Sequence, residues 1–176
     1  ESVVGFDRSP QMVEAARLRL REGPARIQCV ISEADALHPP SYLHRFGLVT
    51  MLAVLHWLYP MEQQVFAWID TVLDTDGVFC LTTYHPTVEG QTLGGTDDVV
   101  LEALARVRLP REFPAAFVPM GTRARPKSVI ERLLRDTFHI VATLDRPAVT
   151  RALDPEQFID YFRATFGTYY LQVLPQ

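Results

Sequence analysis

Two cysteines in 176 residues are too few for a disulfide framework or a four-thiolate metal site. Asparagine is absent, which removes every Asn-linked glycosylation site. Lysine occurs once, the remainder of the 17 basic residues being arginine, a skew of composition with no bearing on mechanism. Against 21 acidic residues the formal net charge is −4, and the isoelectric point of about 5.7 gives no basic footprint for phosphates. No nucleic-acid partner is therefore expected. No apolar run approaches the ~20 residues that cross a bilayer, and no basic start followed by a hydrophobic stretch marks a signal peptide. A soluble, cytoplasmic protein without a membrane partner is the expectation. Phosphate-binding P-loop patterns, internal repeats and low-complexity tracts are also missing.

The residues that are present describe a folded chain. At 48% hydrophobic and 22% charged, the sequence can bury enough surface to offset its ordering entropy, and its length suits a single domain over residues 1–176. Residues 2–6 are apolar and β-branched and read as a buried strand. Ser9 and Pro10 then start a helix, because the Ser oxygen can take an orphan N–H and Pro has none to lose. Met12, Val13, Ala16 and Leu20 recur at helical spacing until Gly23-Pro24. Further strands are predicted at 27–31 and 46–53, then a helix at 61–73, with Asp76-Gly77 turning into a strand at 78–83. Strands alternating with helices at this pitch predict parallel βαβ units. From residue 86 to 126 the pattern breaks into a turn holding Gly90, Gly94 and Gly95, one helix near 97–107, and a Pro/aromatic stretch. Ser128 and Glu131 have capping-box spacing for a helix ending at Asp136. A strand at 138–144, a helix from Asp154-Pro155 to about 166, and a final strand at 168–174 complete the prediction.

Asp7 stands at the carboxyl end of the first strand. In open parallel α/β sheets ligands lie beyond those ends, and a carboxylate there can accept both hydroxyls of a ribose. A turn or helix-cap role for Asp7 explains the same position. The following elements add context: GFDRSPQMVEAARLRL, EADALHP, FGLVTMLAVLHWL and LDTDGVFCLTTYHP occur in this order with one strand each.

In that order and spacing the sequence resembles the class I S-adenosylmethionine-dependent methyltransferases. Within them it is most similar to the small-molecule type that includes the trans-aconitate and juvenile hormone acid methyltransferases. The resemblance runs from Ser2 to about Pro86 and more loosely beyond. It implies an α/β fold with a Rossmann-like open sheet, mostly parallel with an antiparallel last strand, and S-adenosylmethionine as cofactor. By the same resemblance Asp7 binds the ribose hydroxyls, and Met12 lies against adenine. Asp35 accepts from the adenine amino group, with Ala34 and Ala36 as its backbone neighbours, and Ala53 and Val54 face the methionine part. His56 and Trp57 sit where an LHW-type sequence lines the transfer site. Gly47 departs from the family's frequent Asp, at a strand entry far from the chemistry.

Methyl transfer from a sulfonium is an in-line displacement that depends on approach and water exclusion, so no triad is required. His56 and the Tyr84-His85 pair are candidates for a base or for substrate hydrogen bonds, with packing and loop roles as the alternatives. Trp57 is a pocket wall or a core residue. Over residues 87–126 the family places its substrate lid, between core segments 1–86 and 127–176. There Phe113, Phe117 and Met120 are candidates to line an apolar pocket. Arg123, Arg125 or Lys127 is a candidate to hold a substrate anion, or else part of a solvated charge cluster. Cys29 and Cys80 fall in strands that the family order separates and read as core thiols.

The resemblance further implies a strand and a glycine-rich loop ahead of Ser2. Without them the expectations are weak or absent cofactor binding, and open sheet edges that invite homodimers. The functional expectation is methyl transfer to a small-molecule carboxylate or hydroxyl oxygen, with no metal. The alternatives are a truncated or degenerate methyltransferase-like interaction partner, and a nicotinamide-binding domain, which fits Asp7 but not LHWL or DGVFCLTT.

Overall fold

Among the described residues, four strands form in the first half of the chain, and their two ladders are parallel. The computed structural model describes residues 2–23, 28–42, 45–86, 94–147 and 151–174. The chain divides into two units, Glu1–Thr82 and Thr83–Gln176. In the first, β1 (Ser2–Asp7) leads into α1 (Pro10–Glu22) and β2 (Gln28–Glu33). Then come β3 (Phe46–Leu52), a 3-10 turn (Leu55–Leu58), α2 (Glu62–Val72) and β4 (Leu73–Thr82). β1 pairs with β2 from Ser2↔Gln28 to Asp7↔Glu33, and β3 with β4 from Phe46↔Leu73 to Leu52↔Thr82. Among the described residues these are two two-stranded sheets.

Local chemistry sets the first βαβ unit. The Ser9 hydroxyl accepts from the Met12 N–H at 3.3 Å, Pro10 occupies the first turn, and the Gly23 N–H closes the helix on the Leu20 carbonyl. Val13 is the buried residue of α1, and Arg17 donates twice to the Ile31 carbonyl, at 3.1 and 2.8 Å, tying the helix to β2. α2 buries Val65, Phe66, Ile69 and Val72 along one helical stripe, and Met51, Leu55, Leu58 and Leu73 are buried in the same unit. Each such side chain is worth about 1.5–3 kcal/mol when taken from water. An edge-on contact of Phe6 and Trp68, centroids 5.9 Å apart, joins β1 to α2.

The turn expected at Asp76-Gly77 is instead a bulge inside β4. Leu73 stands opposite Phe46 and Val78 opposite Leu48, so the intervening residues loop out while β3 holds both sides of the ladder. Arg45 fixes the start of the ladder by donating to the Leu73 carbonyl at 3.1 Å.

The second unit contains α3 (Gly94–Arg106), α4 (Met120–Arg123), α5 (Lys127–Arg135) and α6 (Pro155–Phe162). A π turn (Arg163–Gly167), α7 (Thr168–Tyr170) and a 3-10 turn (Leu171–Val173) follow. Val100, Leu104, Met120, Tyr169 and Tyr170 form its core, with Phe113, Phe117, Phe162 and Phe166 packed around them. Asp97, only 7% exposed, lies within this apolar cluster. Its carboxylate accepts from the Met120 and Gly121 N–H groups at 3.0 and 2.7 Å and from the Tyr170 hydroxyl, so the buried charge is satisfied. Burial, and then the hydrogen bond to Asp97, push the Tyr170 hydroxyl above its ordinary pKa.

Three sequence expectations are corrected here. The final strand expected over 168–174 is helical: Tyr169 and Tyr170 are adjacent yet both buried in one cluster, whereas a strand would send them to opposite faces. Residues 138–144 take no ladder partner among the described residues, and Val141 and Leu144 are strongly exposed. α5 begins one residue ahead of Ser128, because Pro126 already sets the helix entry and takes the N-cap position. Gly90 lies outside the described residues, whereas Gly94 and Gly95 open α3. No described helix is long and apolar enough to cross a membrane.

The bulge makes glycine necessary at one position. A Cβ on Gly77 would lie 2.9 Å from the Asp74 carbonyl and 2.8 Å from two Leu73 carbons, whereas one on Gly47 meets nothing within 4 Å. Gly77→Ala is expected to cost about 1–3 kcal/mol by crowding the backbone. Gly47→Ala should stay within about 0.5 kcal/mol, as surface substitutions do. Urea denaturation of both variants checks the contrast, and equal midpoints would contradict it.

Candidate functional site

In the first unit, the carboxyl ends of the parallel strands collect the polar groups. β1 ends at Asp7, and the Ala34 N–H donates to the Asp7 carbonyl at 3.1 Å, extending the ladder past β2. That bond brings Asp7 together with Ala34, Asp35 and Ala36. Each acid uses one oxygen to shape its own loop: Asp7 Oδ1 accepts from the Ser9 N–H at 2.7 Å, and Asp35 Oδ1 from the Leu37 N–H at 2.9 Å. The turn role weighed for Asp7 is thus real, and it occupies one oxygen. Asp7 Oδ2 takes no donor among the described residues, while Asp35 Oδ2 lies 3.7 Å from Nδ1 of the exposed His38. Met12, three residues beyond Ser9 on α1, is 58% exposed.

At the end of the other ladder, Ala53 adopts a φ of 55°, in the left-handed region that side chains disfavour. Its N–H donates to the Thr82 carbonyl at 2.9 Å and also to the Thr82 hydroxyl at 3.2 Å. Val54 then caps the 3-10 turn, its carbonyl accepting from the Trp57 N–H at 2.8 Å. Within that turn His56 is 5% exposed, its ring 4.9 Å from that of Trp57, and Trp57 is 38% exposed. The Tyr59–Pro60 bond that follows is cis.

In the second unit Tyr84 is exposed, and the half-buried His85 has both ring nitrogens facing acceptors. Nδ1 is 2.8 Å from the Pro86 carbonyl, which can only accept, so the proton belongs on Nδ1. Nε2 is 3.4 Å from Asp145 Oδ1. The other Asp145 oxygen accepts from Lys127, whose Nζ is 3.8 Å from Glu131. The Lys127 hydrogen bond, then its charge and the His85 contact, hold the Asp145 carboxyl below its usual range, and the same bond raises Lys127.

Phe113 and Phe117, 5.1 Å apart, stack into the cluster of Tyr169 and Tyr170. Arg123 donates from Nε to the Tyr169 hydroxyl at 2.7 Å, with its guanidinium carbon 5.0 Å over that ring, and the Tyr169 hydroxyl donates to the Val118 carbonyl. Burial raises the Tyr169 pKa, which the Arg123 charge opposes. Phe113, Phe117 and Arg123 are therefore together, as parts of a packed aromatic core.

Sequence reading missed Thr82, Asp97, Asp145 and the Tyr169-Tyr170 pair. An acid in the first turn of a helix hinted at Asp97, whereas nothing local to Asp145 points to its two partners. Two surface hollows, one lined by Arg151, Ala152, Gln157, Phe158 and Tyr161 and the other by Gly47 and residues 74–77, contain none of the candidates. Among the described residues no three His, Cys, Asp or Glu side chains gather as a metal site would. Cys29 and Cys80 are free thiols in different sheets.

Residues 1–81 match the family model of a methyltransferase domain. Among solved structures, a candidate methyltransferase of Bacillus halodurans C-125 is 20% identical with a TM-score of 0.53, a likeness of fold. The match covers 78% of this chain and 52% of that one, so the chain spans about half the length of that protein. PKMT2 from Rickettsia typhi, solved in complex with AdoHcy, is 11% identical over 91% of this chain and 28% of its own, and its TM-score of 0.43 is too low to support a shared fold. No curated protein matches the chain.

Because Asp145 has a depressed pKa in the folded state, its contribution to stability is present above the unfolded value near 3.8 and is lost as pH falls through the folded value. The melting temperatures of the protein and of Asp145→Asn should therefore differ most above about pH 4 and converge toward pH 2. A difference that stays constant over that range would rule out the ionic origin.

Proposed function

We propose, from the match of residues 1–81 to the model of a methyltransferase domain and from the likeness of fold, that this part of the chain is a methyltransferase domain built on parallel strand pairs. From that premise we propose that it takes part in methyl transfer from S-adenosylmethionine to a carboxylate oxygen of a small molecule. The observation that carries the reading is the backbone bond that sets Ala34, the neighbour of Asp35, against Asp7 at one ladder end, with Asp7 Oδ2 left without a donor among the described residues. A carboxylate acceptor placed there suits the paired hydroxyls of a ribose, and a second acceptor nearby suits an exocyclic amino group. These residues fit the adenosine end of the cofactor. S-adenosylmethionine, when bound, supplies an electrophilic methyl group on a sulfonium.

The chain's own residues divide the remaining work. Asp7 holds the ribose, Met12 offers an exposed apolar surface for adenine, and Asp35, flanked by Ala34 and Ala36, receives the amino group. The backbone at Ala53 and Val54 faces the methionine part. His56 and Trp57 line the transfer site.

Acceptor chemistry follows from His56, which is buried and so offers no open base for a hydroxyl. An ionised carboxylate needs no deprotonation, whereas a hydroxyl does, and the carboxylate is preferred for that reason.

Calorimetric titration with S-adenosylhomocysteine tests the proposal, on this chain and on the longest natural form of the protein. Asp7→Ala should weaken binding about tenfold or more, the loss expected for a charge-assisted bidentate contact. Binding by neither form would remove the donor assignment.

A further inference from the structure

We infer that Thr82 is a positioning residue for the proposed cofactor site: its hydroxyl and carbonyl together hold the Ala53–Val54 backbone in its left-handed turn. The inference rests on the proposed function only in taking that turn as cofactor-facing.

A residue with a Cβ at φ 55° is strained, and such a conformation persists only where the surroundings over-determine it. On one side of Ala53 lies the last ladder pair, Leu52↔Thr82; on the other lies a 3-10 turn whose Leu55, His56 and Leu58 are buried. Between these anchors the single N–H of Ala53 meets both acceptors of Thr82, the carbonyl at 2.9 Å and the hydroxyl at 3.2 Å. The carbonyl belongs to the backbone of any residue, so the hydroxyl is the part that depends on sequence. Its own proton has no acceptor among the described residues, which leaves it available beside the turn. Valine is nearly isosteric with threonine and lacks that acceptor, whereas serine keeps it.

Four variants separate a held turn from general packing. Thr82→Val should lower the melting temperature by about 3 °C and weaken S-adenosylhomocysteine binding about fivefold, the effect of one hydrogen bond. Thr82→Ser should keep binding within about twofold of the parent. Ala53→Gly removes the left-handed strain, so in that background Thr82→Val should cost less than about 1 °C and should no longer weaken binding. Should Thr82→Val fold poorly, Ala53→Val gives the same readout from the other side, since a β-branched residue tolerates the left-handed region worst and should reduce binding. Equal melting losses for Thr82→Val in the parent and in the Ala53→Gly background would overturn the inference, as would unchanged affinity in Thr82→Val itself. If the parent binds no S-adenosylhomocysteine while the melting coupling persists, the donor assignment falls together with the cofactor-facing clause, and the held turn stands.

Discussion

Parallel pairing is the constraint on which the first unit depends. Two parallel strands cannot be joined by a tight hairpin, so each pair needs a crossover, and α1 and α2 are those crossovers. Parallel order also brings the carboxyl ends of paired strands together, placing Asp7 beside Ala34 at one ladder end and Ala53 beside Thr82 at the other. The polar loops that follow strands thereby gather where a ligand can meet several of them, and the ladder bonds hold them rigidly enough to matter. Asp7 shows the economy of the arrangement: one carboxylate oxygen builds the turn into α1, and the other takes no donor among the described residues.

A different force organises the second unit. Its core is aromatic, and a single buried carboxylate links three segments by accepting from Met120, Gly121 and Tyr170. Removing any one donor would leave part of a buried charge unsatisfied, which is costly in an apolar setting. Arg123 and Tyr169 repeat the pattern at lower burial, the arginine donating to the hydroxyl and the hydroxyl to a carbonyl. Phe113 and Phe117, read from the sequence as a pocket lining, pack against this core.

Much of the fold was legible because its signals are local. The Ser9-Pro10 start and the Asp154-Pro155 start each depend on residues within a few positions of one another, and each appears as read. Non-local choices were not legible. Residues 138–144 have strand composition, but a strand exists only with a partner, and none pairs with them among the described residues. The 168–174 stretch is β-favouring by residue type, yet burying two adjacent tyrosines in one cluster demands a helical turn. Of the residues proposed for the cofactor, Asp7 was legible from its place after a strand, whereas Asp35 came only with the family resemblance. The contacts of Thr82 and Asp145 were not legible, because their partners lie 29 and 18 residues away.

By itself the sequence determined the alternation of strand and helix, the helix starts and the acids at strand ends, since each follows from the chemistry of neighbouring residues. The tertiary structure alone decided which strands pair, that Asp76-Gly77 bulges within a ladder instead of ending it, and that Ala53 is forced into a conformation alanine avoids. The physical reason is the reach of the interactions. Capping and periodicity act across a turn or two, whereas ladder register, backbone strain and the satisfaction of a buried charge depend on groups that only folding brings together.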